Sequence, residues 1–266
     1  MEILHLNAIQ FIRPMGAGRT CPVLLGAEDA GGNIVEVVTK LRGPELGMKA
    51  QVAELVAAPL AVHLGLEVPQ AAVVDVPAGF EAIVPVAHAA AFRVSPHKNF
   101  GSVHLGTSFT TWAVGRSPVG VQRDQAAEIF AFDLLIQNAD RRAGNPNLWS
   151  RSERVGVYDH EQAFSFLHLP ILGGTPCPWV LAHQAGAFRF MESHAFYPSL
   201  RGAKLNFDPF ESRLAALSDD VIQGLLEPVP AEWRQGHDLC TMIADYLREA
   251  REERMALLNF VKHLLR

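Results

Sequence analysis

Cysteine is scarce in this chain: there are three, Cys21, Cys177 and Cys240, far apart and with no Cys-x-x-Cys pair. An odd, scattered set argues against a disulfide framework or a thiolate zinc site, and a reducing cytoplasm is the expected setting. Basic residues are not in excess either, since 23 Lys and Arg against 28 Asp and Glu leave a formal net charge of −5. Nucleic acid and anionic bilayers both need a sustained positive field, so neither is an expected partner. No apolar run approaches the ~20 residues that cross a bilayer. No amino-terminal stretch joins basic residues, an apolar core and a cleavage site, so export is not expected. What is abundant is apolar surface: 49% hydrophobic residues over 266 positions suffice to bury a core as one two-part domain or two small ones.

The first hundred residues read as a small sheet carrying one helix. Leu4–Ile12, Cys21–Ala27 and Ile34–Leu41 are β-like runs, and Ala71–Val76 is a fourth. Between the third and fourth, Val52, Leu55, Val56, Leu60 and Leu64 recur at helical spacing, with Gly65 placed as a stop. Pro59 predicts a kink or two short helices there, because an interior proline costs about 3 kcal/mol. Residues 77–123 give the weakest pattern: a helix, a loop and a short strand at Ser102–Leu105. A helix over Gln125–Gln137 follows, with Asp124 as its expected cap. Leu148–Trp149 and Val155–Tyr158 then flank Ser150–Arg154 as a hairpin. Phe164–Ser199, rich in Gly, Pro and His, predicts little regular structure. Ser218 caps a short helix, and His237–Leu265 reads as one long amphipathic helix.

At the junction of the β-rich and helical portions lies Asp140-Arg-Arg-Ala-Gly-Asn145, directly after a helix, with Asp159 at the end of the hairpin. Asp and Asn are ordinary turn residues, but this flanking delivers three oxygen ligands to one edge. Phosphoryl transfer needs charge neutralised on phosphates and a hydroxyl held in line. Asn145 and Asp159 are ligand types that suit Mg2+, and Asp140 could orient or deprotonate an acceptor hydroxyl. Lys40, at the end of the third strand, could neutralise phosphates, with Glu54 on the helix holding its ammonium; a snorkelling lysine and a solvated carboxylate are the plainer alternative. Gly16, Gly18 and Thr20 lie between the first two strands, where backbone N–H groups and a hydroxyl could touch a phosphate. A Gly-rich hairpin turn reads the same way. Asp133, two turns before Asp140, is expected to support the loop through that loop's backbone N–H groups. Arg141 fits either an ion pair or surface charge. Eleven histidines include no tight metal-ligand spacing, and no Gly-x-Ser-x-Gly elbow occurs, which disfavours zinc or serine hydrolysis.

Together, Val37-Val38-Thr39-Lys40, Glu54, Phe132-Asp133 through Asn138-Ala139-Asp140-Arg141 to Asn145, and Val157-Tyr158-Asp159-His160 resemble the HipA-like kinases. The loop is also similar to that of type II phosphatidylinositol 4-kinases. The resemblance implies an α+β, two-lobed protein-kinase-like fold. In it a small β-rich N-lobe with one main helix (1–123, boundary within 106–124) precedes a mostly helical C-lobe (124–266). It implies ATP bound between the lobes with Mg2+. Lys40 then matches the ATP-phosphate lysine, Glu54 its helix partner, Asp140 the catalytic aspartate, and Asn145 and Asp159 the metal ligands. The chain departs from protein kinases at His160-Glu161, which replaces Phe-Gly after Asp159, at Asn138-Ala139 in place of His-Arg, and in lacking Ala-Pro-Glu. Regulation by activation-loop phosphorylation is therefore not expected. The resemblance does not include the extra amino-terminal subdomain of full HipA toxins, so no toxin role or antitoxin-like partner is indicated.

The expectation is thus a kinase, cofactors ATP and Mg2+, acting on a protein Ser/Thr hydroxyl. Phosphoinositide work is disfavoured for want of a membrane-docking stretch. A nucleotide-binding pseudokinase acting as an interaction module, and a nucleotidyltransferase using the same site, are the alternatives.

Overall fold

The computed structural model describes residues 1–16, 22–42, 47–168, 175–234 and 238–266. Three strands, β1 (Leu4–Pro14), β2 (Val23–Glu28) and β3 (Ile34–Lys40), form an antiparallel meander. Helix α1 (Gly47–His63) then leads to β4 (Ala71–Val76). After helix α2 (Val86–Arg93) comes β5 (His97–Val103), inserted between β3 and β4. β4 runs parallel to β1, so the small sheet expected from the sequence closes as a five-strand barrel in the order β1-β2-β3-β5-β4.

Two features make closure possible. Register shifts in β1 between Ala8 and Gln10 and between Phe11 and Arg13 bend that strand. Gly101 on β5 sits where a Cβ would lie 2.6 and 2.7 Å from the Val74 and Val37 methyls, so only glycine lets those side chains meet. Inside, Leu6, Leu25, Val37 and Val74 pack with Phe80 and Phe92 as one apolar cluster. Each such side chain, fully buried, contributes about 1.5–3 kcal/mol.

α1 is buried almost all round, from Ala50 to Ala61, and continues through Pro59 as one helix, not two. Gly65, at φ 82°, ends it, and the Leu66 N–H donates back to Ala61 O at 2.9 Å. Its apolar residues belong to a second, larger cluster that includes α3 (Gln122–Leu135) and the carboxy-terminal helices. The expected division after residue 123 passes through the first turn of α3, which starts before Asp124; no side chain caps it.

Strands β6 (Thr110–Thr111), β7 (Leu148–Arg151) and β8 (Arg154–Val157) form a small second sheet. Only Ser152 and Glu153 separate β7 from β8, with Ser152 at φ 54°, a tighter hairpin than the sequence pattern implies. The segment read as irregular contains α4 (Leu181–Met191) and the short α5 (Tyr197–Leu200). Then come α6 (Asp208–Ala215) and α7 (Asp219–Leu226), the latter capped by the Ser218 hydroxyl accepting from Val221 N. The single long terminal helix of the sequence reading is two: α8 (Leu239–Glu252) and α9 (Arg254–Leu264), broken at Glu253. No helix among the described residues is long and apolar enough to cross a membrane.

Candidate functional site

β3 ends at Lys40, whose side chain is 10% exposed and therefore must find counter-charges within the protein. It finds three. Its Nζ donates to Glu54 Oε1 on α1 at 2.5 Å, to Asp159 Oδ1 just after β8 at 2.5 Å, and to Glu161 Oε2 at 3.1 Å. Burial would depress the ammonium, but Glu54, Asp159 and Glu161 together hold its pKa well above the ordinary lysine value. Burial likewise opposes ionisation of Glu54; Lys40, then His160, overcome it and hold that carboxyl below the usual range. Glu161 moves the other way, pushed up by desolvation that its longer Lys40 contact does not offset, with Asp159 and Glu54 adding repulsion. Ligand atoms of Glu54, Asp159 and Glu161 lie within 4.8 Å of one another, the carboxylate cluster of metal-site dimensions among the described residues.

Asp140 sits in the loop after α3 and is almost fully buried. Its Oδ2 accepts from Asn145 Nδ2 at 2.9 Å and Asn147 Nδ2 at 3.3 Å. Among the described residues, Oδ1 accepts only from Arg142 Nη2 at 3.1 Å, a side chain that is 58% exposed. One carboxylate oxygen is thus fixed by two amides, while the other faces a group that solvent can replace. Arg142 and Asn145 exchange backbone hydrogen bonds across the loop, which presents the two side chains together.

Below this loop lies a buried polar network. Arg141, fully buried, donates Nε to Asp133 Oδ2 at 2.6 Å, and its Nη1 donates to Asn147 O at 2.5 Å and Tyr158 O at 3.1 Å. Asn138 Nδ2 and His194 Nε2 also donate to Asp133, each at 3.0 Å. Asp133 does support the loop, but through these side chains and not through loop N–H groups. Burial works to raise the Asp133 pKa, yet Arg141 and His194 hold it below the usual carboxylate value. For His194 burial prevails and depresses its pKa, so the bond to Asp133 comes from a neutral imidazole. Since Arg141 grips both Asn147 and Tyr158, one guanidinium ties the Asp140 loop to the Asp159 segment. Gln137, Asn147 and Asp159 all have positive φ, at 53°, 49° and 63°. Each costs about 1–3 kcal/mol of backbone strain, as do His97, Ser152 and Phe164 elsewhere among the described residues.

A cleft of about 350 Å3 opens above Lys40, Glu54 and Asp159, and Val38, Ala58, Val68, Phe100 and Leu105 form its apolar wall. An apolar wall over a charged floor suits a heteroaromatic ring bearing phosphates. The donor set also fits a hard cation: among the described residues Asn145 Oδ1 and Asp159 Oδ2 take no hydrogen bond from the protein. The structure brings Lys40, Glu54 and Asp159 into one contact group and Asp140 with Asn145 into another, joined through Asn147 and Tyr158, whose N–H donates to Asn147 O at 3.2 Å. Gly16, at φ 63°, follows Met15, which borders the cleft. Gly18 and Thr20 lie outside the described residues.

The sequence reading assigned no site role to Glu161 or Asn147. Both stand two positions beyond a residue it had chosen, Asp159 and Asn145. His194 came from the stretch read as irregular and carried no local signal.

No curated protein matches the sequence. Among solved structures, the Helicobacter pylori proinflammatory kinase CtkA is similar along all of both chains, with a TM-score of 0.59 at 11% identity. The Neurospora crassa PAN3 pseudokinase aligns over 97% of this chain and 69% of its own, with a TM-score of 0.38 at 12% identity. The first likeness shows a kinase-type fold. A family model described as HipA-like kinase matches residues 8–167, which include both loops and the whole barrel beyond the start of β1. More than half of the sequence is covered, and the chain belongs to the HipA-like kinase family.

Proposed function

We propose that this chain is an ATP- and Mg2+-dependent phosphotransferase that acts on a Ser or Thr hydroxyl of a protein, in the cytoplasm. Its two lobes would be residues 1–123 and 124–266, enclosing the nucleotide in the cleft. The observation that carries the reading is the Lys40 cluster on the cleft floor, linked through Arg141 to the Asp140–Asn145 loop. A bound magnesium ion would supply positive charge against the phosphates. Asn145 and Asp159 would hold it with their unbonded oxygens. Lys40, kept protonated by its carboxylates, meets phosphate as a fixed positive charge, and Glu54 prevents it from leaving the cleft wall. Gly16, Gly18 and Thr20 would cover the phosphates from the β1–β2 connection. Asp140 accepts the hydroxyl proton at Oδ1 once Arg142 swings into solvent, while Asn145 and Asn147 keep the carboxylate aimed.

The test uses purified protein with γ-labelled and α-labelled ATP and a peptide library bearing Ser and Thr. Label is expected on peptide or protein from the γ position only. Transfer from the α position would make the chain a nucleotidyltransferase, and binding without any transfer would make it a pseudokinase. Asp140→Asn is expected to lower transfer by at least about a hundredfold while nucleotide binding persists.

A further inference from the structure

An ammonium has three N–H groups, and the structure assigns all three in Lys40: to Glu54, to Asp159 and to Glu161. A phosphate oxygen can reach Lys40 as a hydrogen-bond acceptor only if one of these partners lets go. Glu54 and Asp159 border the cleft; Glu161 does not. The N–H given to Glu161 is therefore withheld from whatever occupies the cleft. Glu161 is also the partner most easily exchanged, because its contact is the longest of the three, at 3.1 Å against 2.5 Å for the others. Lys40 is the donor that its carboxylate finds among the described residues. Three carboxylates around one ammonium leave two negative charges in excess, so the cluster can lose the Glu161 contact and still hold Lys40.

We propose that Glu161 sets the nucleotide affinity of this chain: it occupies one Lys40 N–H and must release it before a nucleoside triphosphate can be gripped through its phosphates. This rests on the phosphotransferase reading and adds to it a built-in competitor for the phosphate-binding lysine. Glu161 is then a positioning residue, acting on the nucleotide through Lys40.

Isothermal titration of the full chain with Mg-ATP, and with ATP in chelator, decides the matter. Glu161→Met removes the acceptor at similar size. Glu161→Asp keeps the charge but shortens the arm by one methylene, out of reach of Lys40. Both variants are expected to bind ATP roughly tenfold more tightly than the parent, with or without metal, the factor that a displaced charged hydrogen bond contributes. Unliganded melting temperatures check that they fold, and a merely structural carboxylate would lower these without tightening binding. Unchanged or weaker affinity in both variants overturns the inference and leaves the phosphotransferase reading standing. Tighter binding in Glu161→Met alone overturns it too, since charge and not donor occupancy would then be responsible. If the parent and both variants fail to bind Mg-ATP, the phosphotransferase reading falls and takes the inference with it.

Discussion

At the level of single residues, the Asp133–Arg141–His194 network makes stability depend on pH. His194 is buried and neutral, with a pKa below its ordinary value of 6.5. As the pH drops below 6.5 the unfolded chain takes up a proton that the folded chain refuses, so stability falls with acidification until the folded pKa is reached. His168, depressed by burial and by Lys49, adds the same sign. Asp133, with a folded pKa below its ordinary 3.8, contributes stability above that value and loses it as the pH falls through the folded pKa. Urea unfolding between pH 4 and 7.5 is expected to show a falling free energy below about pH 6.5. In His194→Gln the slope there should flatten; an unchanged slope would place its origin elsewhere. Much of this was hidden in the sequence. Asp140, Asn145 and Asp159 stood out because their spacing is local, whereas the guanidinium joining them is one arginine among many until its burial is known.

Individual elements divide into those that carry their own pattern and those defined by neighbours. α1 and α3 repeat apolar residues at helical spacing, and β1 to β4 are bounded by turn residues, so all six were legible. α4 was not: His183, Gly186 and seven apolar or aromatic residues, three of them alanine, give it no clean face, and its surroundings in sequence are rich in Gly and Pro. The break between α8 and α9 falls at Glu253, where neither Gly nor Pro announces it. The β7–β8 hairpin offers the sharpest test of an element. A Cβ on Gly156 would lie 2.1 Å from the Trp149 ring across the ladder, so the indole rests on bare backbone. Gly156→Ala is expected to cost roughly 1–3 kcal/mol through overpacking, read as a lower urea midpoint. It should also reduce transfer, because β8 delivers Asp159. Normal stability in that variant would mean that Trp149 has room to move.

For the molecule as a whole, the cleft joins side chains from β3, α1 and the segment after β8, so anything that binds there ties distant parts of the chain together. Mg-ATP at about one hundred times its Kd is expected to stabilise the native state by about 2.7 kcal/mol. For a chain of this size that raises Tm by roughly 5–10 °C. Asp159→Ala should abolish the shift, and a full shift in that variant would remove Asp159 as a metal ligand. The barrel that frames the cleft was the part least open to sequence reasoning, since its strands are recognisable singly but their closure is a long-range pairing. That pairing also has a consequence for how the protein is made. β1 waits for β4 to emerge, and both β3 and β4 wait for β5. A nascent chain still on the ribosome before His97 thus carries unpaired edges on strands already synthesised, the condition under which chaperones intervene. Translational pausing ahead of β5 should therefore lower the yield of native protein, whereas pausing after it should not.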